Sequence, residues 1–553
     1  MKLPYSSASS TTNTTVILLG NIPAHNTSVH SIRIPHVSPS ALLSLLSKYI
    51  LTSGYLHIHV DNYNLPQARI ICSVLSINPF LQITSFDSTF RSSRYLALPS
   101  VIYLIYVSAY SFLYLFFASL SLALLVLLSF FVRPPSYSSR HEYRNCIYIT
   151  SANISPSLRG GSIGHINGVL KQLTRSLCVL LFSTRNFLVE TEACSPSSYL
   201  KYTYPTFLFP DIDLYSLAAS FHQAFFFLSV FIPFRKSLPL NSFIYTRLSR
   251  GSFAAALIAF VLRVPLVVEY NGSEVRISRL YSSLTYPLSI LSILAEYITL
   301  KLASRIVTVS QPLALDLQRR HPDHCIKWYP NCASSTLLLK PITSPSPGTV
   351  SFSYVSTFGR WHGAELIPEA VRFLLNNPTQ YPIIDLPHFQ FNIIGEGLQY
   401  PTFLDSIHKY ALAPYFRLHG FLSHDSALEF ISRSQFSLLP TLAPADGSDF
   451  IGSPTKLFEY MALGSIPIAS NVGQQSQILS EFPQPSSFIS PPYTLPSRDC
   501  CGIIFSQGSI PSFARAIHYA LTNSKSLHFM RHNCRARVAK LYTWQAHVDH
   551  LLD

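Results

Sequence analysis

The chain has 553 residues, too many for one hydrophobic core, and length alone predicts about three or four structural units. Hydrophobic residues reach 48% and aromatic residues 13%, while charged residues make up only 12%, against roughly 25% in an ordinary soluble protein; part of the chain is therefore expected to meet lipid. The net charge of +14 is scattered rather than gathered into a stripe or tail, which argues against nucleic acid and fits a basic surface beside an anionic leaflet.

The first fifteen residues are polar and lack the n-region and apolar h-region of a signal peptide. Residues 1–94 predict an α/β extension, in which "YLHIHVDNYN" and the segment after it echo, about 187 residues upstream, the order found from "SFIYTR" to "VRISR": strand, polar loop, helix, second strand, acidic loop, Arg-x-x-Arg. Generic strand–helix–strand likeness accounts for the echo equally well. From Tyr95 to Val132 there are 38 residues without Asp, Glu, Lys, Arg or His. One straight helix of that length spans roughly 57 Å, nearly twice the hydrocarbon core, so residues 95–133 predict a transmembrane or re-entrant hairpin. Arginines 91 and 94 on one side and 133, 140 and 144 on the other place both ends in the cytoplasm. A single spanning helix and a buried helix of a soluble domain stay open as alternatives.

After this segment strand and helix signals alternate. "NCIYIT" reads as a strand, "SLRGGSIGHINGVLKQL" as a glycine loop and amphipathic helix, and "SFIYTR", "PLVVEY" and "RIVTVS" as further strands between helices. The aromatic run "FHQAFFFLSVFIPF" reads as a core helix, with a lipid-linked acceptor or membrane contact as the rival reading. Periodicity dissolves near "HPDHCIKWYPNCASSTLLLKPITSPSPG", an interdomain linker, and no second pair of ligands makes "HPDHC" a zinc site. A second α/β series follows, from "VSFSYVS" to "SIPIAS". Two doubly wound units, residues 144–340 and 341–525, leave a cleft at the carboxyl ends of their strands, and residues 526–553 predict a helix returning to the first unit. The nine cysteines show no metal spacing and no disulfide framework, which predicts a reducing compartment.

The most informative stretch is "DFIGSPTKLFEYMALGSIPIAS", residues 449–470. Ser453 is a good N-cap, Pro454 suits the first helical position, and Gly464 can end the helix left-handed. The amides of Ser453, Pro454's successor Thr455 and Lys456 form a natural anion site to which the lysine adds a full charge. Glu459, three residues further on the same face, is suited to accept two hydrogen bonds from a sugar diol. Together they describe a nucleotide diphosphate pocket.

With these residues in view, residues 144–550 resemble family 4 glycosyltransferases of the GT-B fold. The resemblance rests on "GSPTKLFEYMALGSIPIAS", "RGGSIGH", "EYNGSEV", "RIVTVS", "YVSTFGRWHGAEL" and "IIGEGLQ", in that family's order and spacing. It implies an α/β protein of two Rossmann-like lobes plus the extension and the apolar segment. It also implies a nucleotide-activated sugar on the second lobe, an acceptor on the first, and retention of anomeric configuration, with no metal and no cofactor beyond the nucleotide-diphosphate sugar. Glu459 matches the family's ribose-binding glutamate and Lys456 is the candidate for the diphosphate. Gly359, Arg360, His362, Gly395, Glu396 and Gly397 complete the donor side. Gly160, Gly161, His165, Asn271, Gly272 and Glu274 form the acceptor side, with His165 a candidate for catalysis.

The sequence departs from the family pattern at several positions. The acid expected eight residues before Glu459 falls on Ile451, and Asp449 or Asp446 is the candidate replacement. The common Arg and Lys of the second lobe's first loop fall on Thr357 and His362. Asn271 stands where many relatives have His and cannot act as a base, which shifts the chemistry toward the leaving phosphate taking the acceptor proton. The expected protein is a glycosyltransferase on the cytoplasmic face of a membrane, such as the bacterial inner membrane, with a lipid-linked or surface-polysaccharide acceptor. Its rivals are a sugar-nucleotide-binding scaffold and a GT-B-like epimerase.

Overall fold

The computed structural model describes residues 14–19, 31–34, 54–60, 73–74, 81–86, 92–150, 161–183, 198–201, 207–208, 212–232, 241–275, 289–342, 348–382, 388–444, 447, 450–479 and 500–553. These residues form three sheets. In the extension, β1 (Thr14–Leu19), β2 (Ser31–Ile34), β3 (Gly54–Val60) and β4 (Leu81–Phe86) are parallel, and β5 (Ser92–Tyr95) adds antiparallel to β4, in the order β2-β1-β3-β4-β5.

The apolar segment follows as one continuous helix, α1 (Ala97–Leu128), and not as a hairpin. No Gly interrupts residues 97–128 and the only proline, Pro99, sits in the first turn, where a missing N–H costs nothing. The physical reason the hairpin expectation fails is packing. Val107, Ser111, Ala118, Leu122, Leu125 and Ser129 are buried at spacings of three, four and seven, so one stripe of the helix rests on protein along most of its length.

The first lobe is a parallel seven-stranded sheet. Its strands are β6 (Asn145–Ile149), β7 (Cys178–Ser183), β8 (Ser198–Lys201), β9 (Ser242–Arg247), β10 (Leu266–Tyr270), β11 (Arg305–Thr308) and β12 (Ile326–Trp328), in the order β12-β11-β10-β9-β6-β7-β8. Strands such as β10, buried at every position, read as largely apolar runs because helices cover both faces, Glu269 being the one charge in β10. Those helices are α2 (Gly161–Ser176), α3 (Ile212–Phe231), α4 (Ala254–Leu262), α5 (Ser289–Lys301) and α6 (Gln311–Arg320). The order β2-β1-β3-β4 of the extension repeats the order β7-β6-β9-β10 here, and the echoed segments are the equivalent strand pairs β3–β4 and β9–β10.

The second lobe is a parallel six-stranded sheet of β13 (Thr349–Val355), β14 (His388–Ile394), β15 (Phe416–Gly420), β16 (Phe436–Leu439), β17 (Ile466–Ser470) and β18 (Ile503–Phe505), in the order β15-β14-β13-β16-β17-β18. Around it lie α7 (Leu366–Asn376), α8 (Tyr400–Lys409), α9 (His424–Arg433), α10 (Thr455–Ala462), α11 (Gln475–Leu479), α12 (Ile510–Thr522) and α13 (His528–Leu541). Helix α13 stays with this lobe, where Arg531 Nε donates to Gly464 O at 2.6 Å. The chain then crosses back. Helix α14 (Trp544–Leu552), started by the Thr543 hydroxyl accepting from Ala546 N–H, packs on α2 of the first lobe. Its end is held there by Arg140, which pairs with Asp549 and Asp553, and by Tyr137, whose hydroxyl donates to Leu552 O.

Gly168 is what lets α14 dock. A Cβ at that position would lie 2.4 Å from the Trp544 ring, with helix backbone on one side and an indole on the other. Gly168→Ala therefore overpacks the contact and is expected to cost about 1–3 kcal/mol, read as a lower urea midpoint with an unchanged slope.

Candidate active site

The second lobe contributes the helix that the sequence singles out, with a different start. Helix α10 begins at Thr455 with Pro454 as its N-cap, and no side chain caps it. The Ser453 hydroxyl instead accepts from Asn331 N–H at 2.8 Å, so it ties the linker to the loop before the helix. Lys456 Nζ donates to Val355 O at 3.2 Å and lies 5.3 Å from the centre of the Tyr354 ring. Burial pushes its ammonium down to about 7, against the pull of Glu459.

Opposite Lys456 is the loop that follows β13. His362 Nδ1 accepts from Gly359 N–H at 3.0 Å, which makes it an acceptor for the Ser356 hydroxyl at 2.8 Å as well, and Ser356 Oγ in turn accepts from Phe358 N–H. Burial and the nearby Lys456 charge drive His362 far below its ordinary pKa. Its ring is thus neutral with the proton on Nε2. Gly395 (φ 113°) and Gly397 (φ 157°) belong to the same wall, but their missing side chains serve backbone packing. A Cβ on them would lie 1.8 Å from Ser356 O and 1.9 Å from Thr357 O. Glu396 and Arg360 are exposed at the rim.

Glu459 is not open. His424, in the first turn of α9, places Nε2 2.9 Å from Glu459 Oε1, and this hydrogen bond raises the His424 pKa. The histidine side chain is 65% exposed and the glutamate 16%, so the approach to Glu459 is by its other oxygen or past a solvent-facing ring.

The first lobe contributes a buried polar cluster at the carboxyl ends of β9 and β10. Glu269 accepts from the Tyr245 hydroxyl at 2.7 Å and from Asn271 Nδ2 at 2.5 Å, with His165 Nε2 at 2.8 Å and Arg247 Nε at 3.6 Å. Burial alone would raise its carboxyl, but His165, Arg247 and the Tyr245 hydrogen bond together hold it well below the usual carboxylate range. His165 is fully buried, not at the surface of a helix start, and its other nitrogen, Nδ1, lies 2.7 Å from Asn331 Oδ1. It reaches the cleft only through Asn331.

Asn331 joins the two halves. Besides His165 and the Ser453 hydroxyl, its side-chain amide donates to Ser453 O and, at 3.3 Å, to Thr455 Oγ1. Two further contacts close the lobes at the same level. Ser310 Oγ donates to Ile451 O at 2.7 Å, and Gln474 Nε2 donates to Val309 O at 2.9 Å. Ile451, where the sequence resemblance leads one to expect an acid, packs into the first lobe's core, and a Cβ on Gly272 (φ 107°) would come within 2.8 Å of its Cδ1. Gly161 faces Thr455 Oγ1, 3.3 Å from where its own Cβ would stand.

Two groups thus converge on the start of α10: Lys456, Glu459 and His362 from the second lobe, and Gly161, Gly272 and, through Asn331, His165 from the first, while Asn271 is held by Glu269. Glu274 turns away and accepts from Arg250 N–H at 2.8 Å. Gly160, Asp446 and Asp449 lie outside the described residues. Among the described residues no group of three His, Cys, Asp or Glu side chains is arranged to hold a metal. Sequence reasoning missed Glu269 as a buried anion, Arg247, Asn331 and His424. A signal existed for Glu269, a lone charge in the apolar run "PLVVEY"; none existed for His424, whose partner is 35 residues away.

Residues 351–523, the second lobe, match the family model described as "Glycosyl transferases group 1". Among solved structures, the chain is similar to sucrose-phosphate synthase from Thermosynechococcus elongatus, at 17% identity and a TM-score of 0.51, covering 73% of this chain and 96% of that one. It is also similar to HepE from Anabaena in complex with UDP, at 14% identity and a TM-score of 0.50, covering 73% and 97%. HepE in complex with UDP-glucose gives 13% identity, a TM-score of 0.50 and the same coverage. At these identities the likeness establishes the two-lobed GT-B fold. No curated protein matches the chain at the level of sequence.

A nucleotide-diphosphate sugar carries no phosphate proton that titrates near neutrality, so Lys456 sets the pH response of an anion bound beside it. Because its free ammonium is held at about 7, affinity for such a ligand is expected to fall above that pH, by at most about tenfold per unit. Titration calorimetry between pH 6 and 9 checks this. Lys456→Arg, whose guanidinium keeps its charge, flattens the decline, whereas Lys456→Ala binds weakly throughout.

Proposed function

We propose that the chain is a membrane-held glycosyltransferase that moves a sugar from a nucleotide-diphosphate donor to a lipid-linked or surface-polysaccharide acceptor, with retention of configuration, on the cytoplasmic face. The observation that carries this reading is the start of α10. An uncapped helix N-terminus, a half-buried lysine and a carboxylate one turn later lie together at the mouth of the interlobe cleft, inside the segment that matches a glycosyl transferase family. The reading is supported by HepE, whose structures hold UDP and UDP-glucose.

In this mechanism the diphosphate lies against the amides of α10 and the Lys456 ammonium, and Glu459 accepts from the ribose hydroxyls. The bond between the anomeric carbon and the diphosphate oxygen breaks, and the acceptor oxygen bonds to that carbon on the same face. The acceptor proton leaves on the departing phosphate, since Asn271 is no base. Lys456 and the helix dipole stabilise the charge that grows on the leaving group, which is where fixed electrostatics lower a barrier most. No metal is required for this. His165, buried between Glu269 and Asn331, is a positioning residue that holds the loop before α10 against the first lobe. Closure of the lobes excludes water that would hydrolyse the donor.

One observation favours a second reading, a scaffold that binds sugar nucleotide without transferring it: Ile451 replaces the acid and is engaged in interlobe packing. A panel of sugar nucleotides on detergent-solubilised protein separates the two. Transfer predicts thermal stabilisation by one donor and slow diphosphate release that Lys456→Ala and Glu459→Ala both abolish, with the folds of the variants intact. Stabilisation without release, even with membrane lipid extract present, supports the scaffold.

A further inference from the structure

Among the described residues two helices, 98–128 and 213–231, are long and apolar enough to cross a membrane. Their placement argues against crossing. We infer that α1 lies in the plane of the membrane interface, its outer face among lipid and its inner face docked on the first lobe, so that the protein is seated on one leaflet. The inference rests on the membrane-held reading above and gives it a geometry.

The inner stripe of α1 is bound into the lobe. Ala118, Leu122 and Leu125 share one core cluster with Ile149 of β6 and Phe227 of α3, Ser111 Oγ accepts from Leu208 N–H at 2.7 Å, and the Tyr114 ring lies 4.9 Å from His222 of α3. Helix α3 in turn is tied to polar groups of the lobe, because Gln223 Nε2 donates to Thr150 O at 2.7 Å and Asp213 pairs with Arg250. To carry α1 across a bilayer would drag these groups and the ends of the parallel sheet into hydrocarbon, where unsatisfied polar groups cost several kcal/mol each.

The outer stripe faces away from the lobe. Ile102, Ile105, Phe116, Leu120 and Leu127 stand exposed at helical spacing along roughly 40 Å, and Phe131 just past the helix is 78% exposed. Phe225 of α3 and Ile290 of α5 extend the face sideways. A patch of this extent on a protein means a partner, and the charges at its edge say which. Lys301 Nζ sits 3.5 Å from the centre of the Phe130 ring, and exposed Arg133 and Arg263 line one shallow crevice between residues 132–135 and 259–264. Cations beside apolar rings at the C-terminal end of α1 match anionic headgroups above acyl chains, the arrangement of a helix that lies on a membrane. In-plane seating also removes the length conflict, since a helix of about 48 Å need not match a core of about 30 Å.

The experiment uses the full chain with vesicles of phosphatidylcholine, with and without phosphatidylglycerol. The protein is expected to float with the anionic vesicles, and Phe116→Arg with Leu120→Arg, both on the exposed stripe, is expected to cut binding at least tenfold while circular dichroism and melting stay unchanged. Depth comes from Ile105→Trp, Phe116→Trp and Leu127→Trp, each read against wild type with brominated lipids. Seating in the plane predicts similar quenching of all three, strongest for bromines near the headgroup. Deepest quenching at position 116 means a spanning helix and overturns the inference, as does a lack of flotation or a concentration-dependent dimer that buries the stripe. Donor binding by the arginine variants in detergent is expected to be unchanged, so failure here is distinct from failure of the donor site.

Discussion

The constraint on which the structure depends is the junction at Asn331. One side chain and one backbone amide reach His165 on the first lobe and Ser453 and Thr455 on the second, within the segment that opens α10. A net hydrogen bond is worth about 0.5–1.5 kcal/mol, so no single contact holds the lobes together. Their importance is positional. They fix the start of α10, and with it Lys456 and Glu459, relative to Gly161 at the start of α2. The buried Glu269–His165 pair makes the fixed point stiff, because removing either partner leaves an uncompensated polar group in the core.

The same junction explains why Ile451 is tolerated where a carboxylate is common in the family the sequence resembles. Its side chain enters the first lobe beside Gly272, and its carbonyl takes the Ser310 hydroxyl. An acid there would sit among apolar side chains. The residue is engaged in closing the cleft, and among the described residues the carboxylate nearest the start of α10 is Glu459, which His424 covers.

Much of the fold was legible. Apolar runs such as "PLVVEY" and "SIPIAS" become buried parallel strands, and the repeated order of the extension surfaces as equivalent strand pairs. The hairpin was not legible as false, because charge counting measures only lipid solubility, whereas the course of α1, which ends at Leu128, is set by a stripe of contacts with α3, a helix that begins only at Ile212. The site was half legible. Lys456 and Glu459 are local to one helix and show themselves by spacing. Ser453 misled, since a good N-cap residue was claimed by a long-range partner, Asn331, and such competition cannot be read from neighbours. Glycines 395 and 397 invited a ligand reading, yet a neighbouring backbone fills their space.

The central claim is that a nucleotide diphosphate binds at the start of α10 with its ribose on Glu459. A crystal structure of the full chain soaked with the nucleoside diphosphate of its best-binding sugar nucleotide tests this most directly. The account predicts phosphate oxygens within hydrogen-bond distance of Lys456 Nζ and the first amides of α10, and ribose hydroxyls on Glu459 with His424 turned aside. A nucleotide bound elsewhere, or bound here with the His424–Glu459 contact intact and the ribose held by other groups, would contradict it.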